Sequence, residues 1–111
     1  MQKGILLIAM LILALGCQSS RQKKNATTVD KPKVTVSIIP QKFFIEQIAG
    51  DMFDVNIMVP PGASPDDYEP TPKQLTQMVG SKVYFYVGHL GFEKSWMKRF
   101  TTNAPDVRFV S

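Results

Sequence analysis

From Lys33 onward, apolar positions switch between a spacing of two and a spacing near 3.6. Val34, Val36 and Ile38 interleave with Thr35 and Ser37, which predicts a strand over 33–39. Pro40 suits the first turn of a helix, where its missing N–H has no partner to lose. Phe44, Ile45, Ile48 and Ala49 follow at helical spacing, and Gly50 stands where a helix end takes a left-handed residue. Phe53, Val55, Ile57 and Val59 alternate again and predict a second strand over 53–59. Thr71, Pro72 and Gln74 read as the cap, first residue and capping-box partner of a second helix. Its apolar face is Leu75, Met78 and Val79, and Gly80 closes it. The stretch Lys82–Val87 contains VYFYV, the continuous run of a strand covered on both faces. Phe92, Trp96, Met97 and Phe100 outline a third helix that Asn103 and Pro105 end, and 107–110 makes a fourth strand. The aromatic pairs and triplets, Phe43-Phe44 and Tyr84-Phe85-Tyr86, read as core rather than as a stacking platform.

The order βαβαβαβ, with every connection long enough for a right-handed crossover, implies an α/β fold: an open parallel sheet flanked by helices on both faces. No helix follows the fourth strand, so one side of the sheet is expected to be thinly covered.

The first thirty residues follow different rules. Lys3 precedes an apolar run from Ile5 to Leu15 that ends in Gly16 and Cys17. As a helix this run rises only about 16 Å, roughly half of a ~30 Å hydrocarbon core. A secretory signal peptide over 1–16 is therefore expected rather than a permanent span. The ending Ala14-Leu15-Gly16-Cys17 resembles a bacterial lipobox, which makes Cys17 the expected lipidation site and the lipid on it the link to a membrane. Cys17 is the single cysteine, so no disulfide forms within the chain. Residues 17–32 read as the lipidated cysteine and a flexible polar stalk, which leaves 33–111 as the folded part. The formal net charge of +4 belongs mostly to this leader. Residues 31–111 carry nine basic and eight acidic side chains, which gives no basic face for nucleic acid.

Ligands of open parallel sheets gather beyond the carboxyl ends of the strands. Three loops lie there: Ile39-Pro40-Gln41, the long segment MVPPGASPDDYEPTPKQL from Met58 to Leu75, and GHLGFE after the third strand. They offer Asp66, Asp67, Glu69, His89 and Glu93, oxygen and imidazole donors that suit Zn²⁺, Mn²⁺ or Fe²⁺. Flanking prolines lower the entropy lost when such a loop closes on an ion. Plainer roles exist for each residue. Aspartates after Pro65 suit a solvated turn, acids near a helix start are favoured by its dipole, and His89 between glycines suits an exposed loop. No GxSxG, GxGxxG or GxxxxGK[ST] pattern is present, and one histidine with one cysteine makes no nucleophile–base pair. An extracytoplasmic enzyme on this scaffold is accordingly disfavoured.

The segments VSIIPQKFFIEQIAGDMFDVNIMVPPGASPDDYEPTPKQL and SKVYFYVGHLGFEKSW, with the lipobox, resemble the zinc- and manganese-binding lipoproteins that feed ABC metal importers. The similarity runs through residues 34–111 and rests on IAGD, on PPGASP-x-x-YEPTP and on the following strand with G-x-x-x-E. It implies a solute-binding protein of two α/β lobes joined by a long helix, with one metal ion clamped between them. The chain would be an incomplete amino-terminal lobe of such a protein. The implied ion is Zn²⁺, with Mn²⁺ as the alternative. The implied partner is an ABC permease, and the implied location is the cell envelope, with the protein a membrane-anchored monomer facing the periplasm or exterior.

In the family the loop reads P-H-x-Y/F-E-P with the histidine as first metal ligand, and here Asp66 stands at that position. Pro61, Gly62, Pro65, Glu69 and Pro70 shape the loop, and His89 is a second candidate ligand that the family pattern does not assign. The alternative reading is a surface-tethered adhesion or interaction lipoprotein of the same fold whose metal binding is weak or lost.

Overall fold

The computed structural model describes residues 30–111; the expected signal peptide, Cys17 and most of the stalk lie outside the described residues. Four strands form one parallel sheet: β1 (Lys33–Val36), β2 (Asp54–Ile57), β3 (Val83–Phe85) and β4 (Arg108–Val110), in the spatial order β2-β1-β3-β4. They alternate with α1 (Ile39–Ala49), α2 (Pro72–Val79) and α3 (Gly91–Asn103). The fold class is the one the hydrophobic pattern implies.

Strands are shorter than their apolar runs because the carboxyl ends turn early into loops, yet pairing continues past them. Ser37 N donates to Phe85 O at 3.2 Å, Met58 N to Val36 O at 2.9 Å and Val59 N to Ser37 O at 2.9 Å. The chain enters at the opposite edge, where Asp54 N donates to Pro32 O at 3.1 Å and Lys31 pairs with Asp51 at 3.1 Å.

Register and side-chain alternation sort the sheet into two faces. Thr35 aligns with Asn56 and Tyr84, and Tyr84 with Phe109; Val36 aligns with Ile57 and Phe85, and Phe85 with Val110. The β1–β2 connection steps one way across the sheet and the next two step the other way. Right-handed crossovers therefore leave α1 alone on one face and set α2 and α3 together on the other. The core sits under α2 and α3: Met58, Met78, Tyr84, Phe92, Phe100, Ala104 and Val107 are buried there, with Tyr68, Leu75, Trp96 and Phe109 against them. Each large side chain removed from water in this way contributes roughly 1.5–3 kcal/mol.

The α1 face is the thin one, and here an expectation fails. Phe43 and Phe44 are not core: they stand 55% and 61% exposed, Ile48 is 87% exposed, and no residue of α1 is fully buried. A single helix cannot roof four strands, so its apolar residues meet the sheet only along a shallow cavity of about 280 Å³ lined by Gln41, Phe44, Ile45, Ile48 and Phe85. For the same reason the VYFYV run is not covered on both faces: Tyr84 is fully buried, while Val83 and Phe85 are half-buried. Val79, assigned to the apolar face of α2, is likewise 47% exposed.

Candidate functional site

Because all strands run the same way, the three helix N-termini gather with the strand carboxyl ends at one edge. Each helix is fastened there by the side chain of its third residue. Gln41 Oε1 accepts from Ile38 N at 3.2 Å and Ser37 N at 3.0 Å. Gln74 Oε1 accepts from Thr71 N at 2.9 Å, while Thr71 Oγ1 accepts from Gln74 N at 3.3 Å, completing the capping box read in the sequence. Glu93 Oε2 accepts from Leu90 N at 3.3 Å.

Gln74 does more than cap. Its Nε2 donates to Ile57 O at 3.1 Å and Met58 O at 2.7 Å, and Tyr68 Oη donates to its Oε1 at 2.8 Å. Both ends of the long loop are thereby tied to one side chain. Within the loop, Ala63 N donates to Pro60 O at 3.2 Å in a turn, and Pro70 is buried.

Glu93 is the main departure from the sequence reading. It stands in the first turn of α3, as its place near a helix start implies, but it is 2% exposed rather than offered to a ligand. Its Oε1 accepts from Val87 N at 2.8 Å and from Ser37 Oγ, and its Oε2 accepts from Gly88 N at 2.7 Å in addition to Leu90 N. Four donors offset the cost of burying the carboxyl group. Ser37 Oγ also meets Tyr84 Oη at 3.0 Å, so a continuous polar line joins β1, β3 and the 87–90 loop. Burial, reinforced by the nearby Glu93 charge, pushes the Tyr84 hydroxyl well above the usual tyrosine range, and the Ser37 hydrogen bond only partly offsets this. Gly88 has φ of +98°, a backbone conformation that glycine adopts without strain, and it lets the loop fold its amide back onto Glu93.

The loops after β2 and β3 meet directly. Phe92 N donates to Pro65 O at 3.1 Å, the Tyr68 and Phe92 rings make an edge contact at 6.4 Å, and Asp66 O lies over the Cα of Gly91. Asp66, Asp67 and Glu69 are exposed on this edge, and so is His89, two residues before Gly91. Among the described residues no hydrogen bond or ion pair engages the Asp66 carboxylate. Helix N-termini repel a cation, so an ion at this edge requires the loop carboxylates. Among the described residues, however, no group of three or more His, Cys, Asp or Glu side chains is arranged to hold a metal ion. Asp66 and His89, one carboxylate and one imidazole, both stand exposed at this edge, and two donors do not close a four-coordinate site. The residues that sequence reasoning missed are Ser37 and Tyr84, buried beneath the edge, and Gln41, part-buried; only Gln41 carried a local signal, a glutamine three residues after a helix cap.

Comparison with known proteins agrees with this architecture. Residues 34–111 match the family model described as zinc-uptake complex component A, periplasmic (ZnuA). The manganese-binding lipoprotein MntA of Halalkalibacterium halodurans is 31% identical over 106 residues, covering 96% of this chain and 34% of that protein. The high-affinity zinc uptake system protein ZnuA of Bacillus subtilis is 32% identical over 85 residues, covering 75% of this chain and 27% of that one. A crystal structure of ZnuA superposes with a TM-score of 0.66 at 35% identity, over 74% of this chain and 32% of the other. The chain thus spans about a third of the length of the relatives it matches. Since the matched residues take in nearly all of the sheet and every loop at its ligand edge, the chain belongs to the family of zinc-uptake complex component A, periplasmic.

Proposed function

We propose that this chain supplies one wall of a metal-capture site in an extracytoplasmic solute-binding lipoprotein that hands its cargo to an ABC permease. The cargo is Zn²⁺, with Mn²⁺ second. The observation that carries this reading is the Asp66 loop: rigid, acidic, exposed at the ligand edge, and occupying the place where the family pattern has its first ligand. Capture would be reversible coordination without bond-making chemistry, so the protein is not an enzyme. Asp66 would contribute a carboxylate oxygen and His89, less centrally, an imidazole nitrogen. The relatives are about three times as long as this chain, and the remaining ligands would come from the part of the protein that corresponds to their further length. Lipid on Cys17 would hold the molecule to the membrane, facing the periplasm or exterior, as a monomer. The relatives support both metals, the B. subtilis one being a zinc uptake protein and the H. halodurans one a manganese-binding lipoprotein. A carboxylate in place of an imidazole moves a site toward harder ions, which keeps Mn²⁺ in play.

The test is the metal content of the full-length protein against Asp66→Ala, measured by mass spectrometry after equilibration with Zn²⁺ and with Mn²⁺. Substoichiometric metal in the variant is the expected result. Equal content in both proteins would remove Asp66 from the site. A second reading, a surface-tethered adhesion or interaction lipoprotein of the same fold with weak or lost metal binding, is motivated by the aspartate that stands at the family's histidine position. It predicts no calorimetric Zn²⁺ or Mn²⁺ binding by the full-length protein.

A further inference from the structure

The α3 N-terminus meets Asp66 itself, and Pro65 before it, through main-chain atoms. Phe92 N donates to Pro65 O at 3.1 Å, and a Cβ placed on Gly91 would stand 2.0 Å from Asp66 O, 2.7 Å from Asp66 C and 2.8 Å from Asp66 Cα. These are main-chain atoms, which cannot swing aside as the tip of a long side chain does. Gly91 is not among the glycines with positive φ, which are Gly50, Gly62 and Gly88. Its backbone conformation therefore suits alanine, and inside a helix alanine is the better residue. Local conformational preference thus gives no reason for glycine here. The reason is the space that Asp66 occupies.

The seat is held from below. Glu93 gathers the amides of Val87, Gly88 and Leu90 and the Ser37 hydroxyl, fixing the turn that presents Gly91 to Asp66. Tyr68, two residues past Asp66, closes the other side with its edge on the Phe92 ring. The Asp66 Cα is thereby set by α3 rather than by its own loop alone.

We infer that Gly91 and Glu93 are positioning residues for Asp66: the first turn of α3 is a backbone seat that places the Asp66 carboxylate for the metal. Neither residue touches the ion. This inference rests on the reading of Asp66 as a ligand, and the experiment separates the two.

Zn²⁺ affinity of the full-length protein is measured by calorimetry for the unmodified protein, Asp66→Ala, Gly91→Ala and the double variant. Amide hydrogen exchange of residues 62–68 is followed without metal in the same set. Gly91→Ala is expected to weaken Zn²⁺ binding by about tenfold or more, the usual effect of losing a group that orients a ligand. It is also expected to speed exchange in the loop. The double variant should bind no more weakly than Asp66→Ala, because Gly91 acts through Asp66 and the effects do not add. Gly80→Ala, whose new Cβ meets nothing closer than 3.6 Å, should change neither readout. Glu93→Gln keeps the side-chain shape but turns an acceptor into a donor facing backbone amides, and it should reproduce the loosening if Gly91→Ala does not fold. Unchanged exchange and affinity in Gly91→Ala would overturn the seat, as would losses that simply add in the double variant. If Asp66→Ala binds Zn²⁺ as well as the unmodified protein, the ligand reading fails, and the exchange data still decide whether Gly91 seats the loop.

Discussion

Asp66 and Glu93 are both acids at the ligand edge, and their surroundings send them to opposite tasks. Asp66 stands in solvent on a proline-stiffened loop, while Glu93 is closed off and accepts four hydrogen bonds. The sequence places both correctly along the chain, because position relative to the strand ends follows from hydrophobic periodicity. Which acid is buried depends on partners far away in the chain, Ser37 above all, and no local pattern encodes that. Tyr84 shows the same dependence. Its hydroxyl is raised by burial and by the Glu93 charge, so in the folded protein it keeps its proton above the pH near 10 at which an unfolded tyrosine loses it. Its contribution is therefore complete below about pH 10 and is lost as pH rises beyond that toward the folded-state value. Urea unfolding of the protein and Tyr84→Phe at pH 8 and pH 11 checks this. The variant should cost about 1 kcal/mol at pH 8, for the hydrogen bond to Ser37, and should lose less stability than the unmodified protein between the two pH values.

Among the elements, the helix starts form the common design. Three helices open with an amide-bearing third residue or its acid counterpart, Gln41, Gln74 and Glu93, each reaching back to the cap amide. Only the Thr71–Gln74 case was legible, since Thr71 carries its own acceptor and Pro72 marks the first turn. Ile38 and Leu90 are apolar caps without a side-chain acceptor, so half of the capping box is missing and the pattern hides. Gln74 ties the elements together, because it also bonds Ile57 O, Met58 O and Tyr68 Oη. Thr71→Ala should cost about 1 kcal/mol, the usual worth of a cap. Gln74→Leu should cost more, about 2–3 kcal/mol, by leaving part-buried carbonyls and a hydroxyl without partners. Thermal unfolding of the two variants side by side gives the order.

For the whole molecule, topology explains what composition could not. Three crossovers distribute as one helix against two, so among the described residues α1 lies over β1 and β2 without another helix beside it, and Phe43 and Phe44 stay exposed. Periodicity identified α1 correctly but could not say how well its apolar stripe is roofed, which is why Phe43 and Phe44 were assigned to the core. Ile48, at 87% exposure, is expected to tolerate lysine with a stability change within about 0.5 kcal/mol. Chemical denaturation tests this, and a large loss would mean that α1 is packed more deeply than described.

One further consequence comes from where the chain enters and where the last strand runs out. Residue 30 approaches β1 at the amino edge, and β4 carries the chain to the opposite edge, with β3 paired between them. A tension applied between residues 30 and 111 would pull β1 and β4 lengthwise past β3 in shear. Ladder hydrogen bonds along both interfaces would then share the force together instead of opening one after another. The sheet is thus oriented to resist stretching between residues 30 and 111.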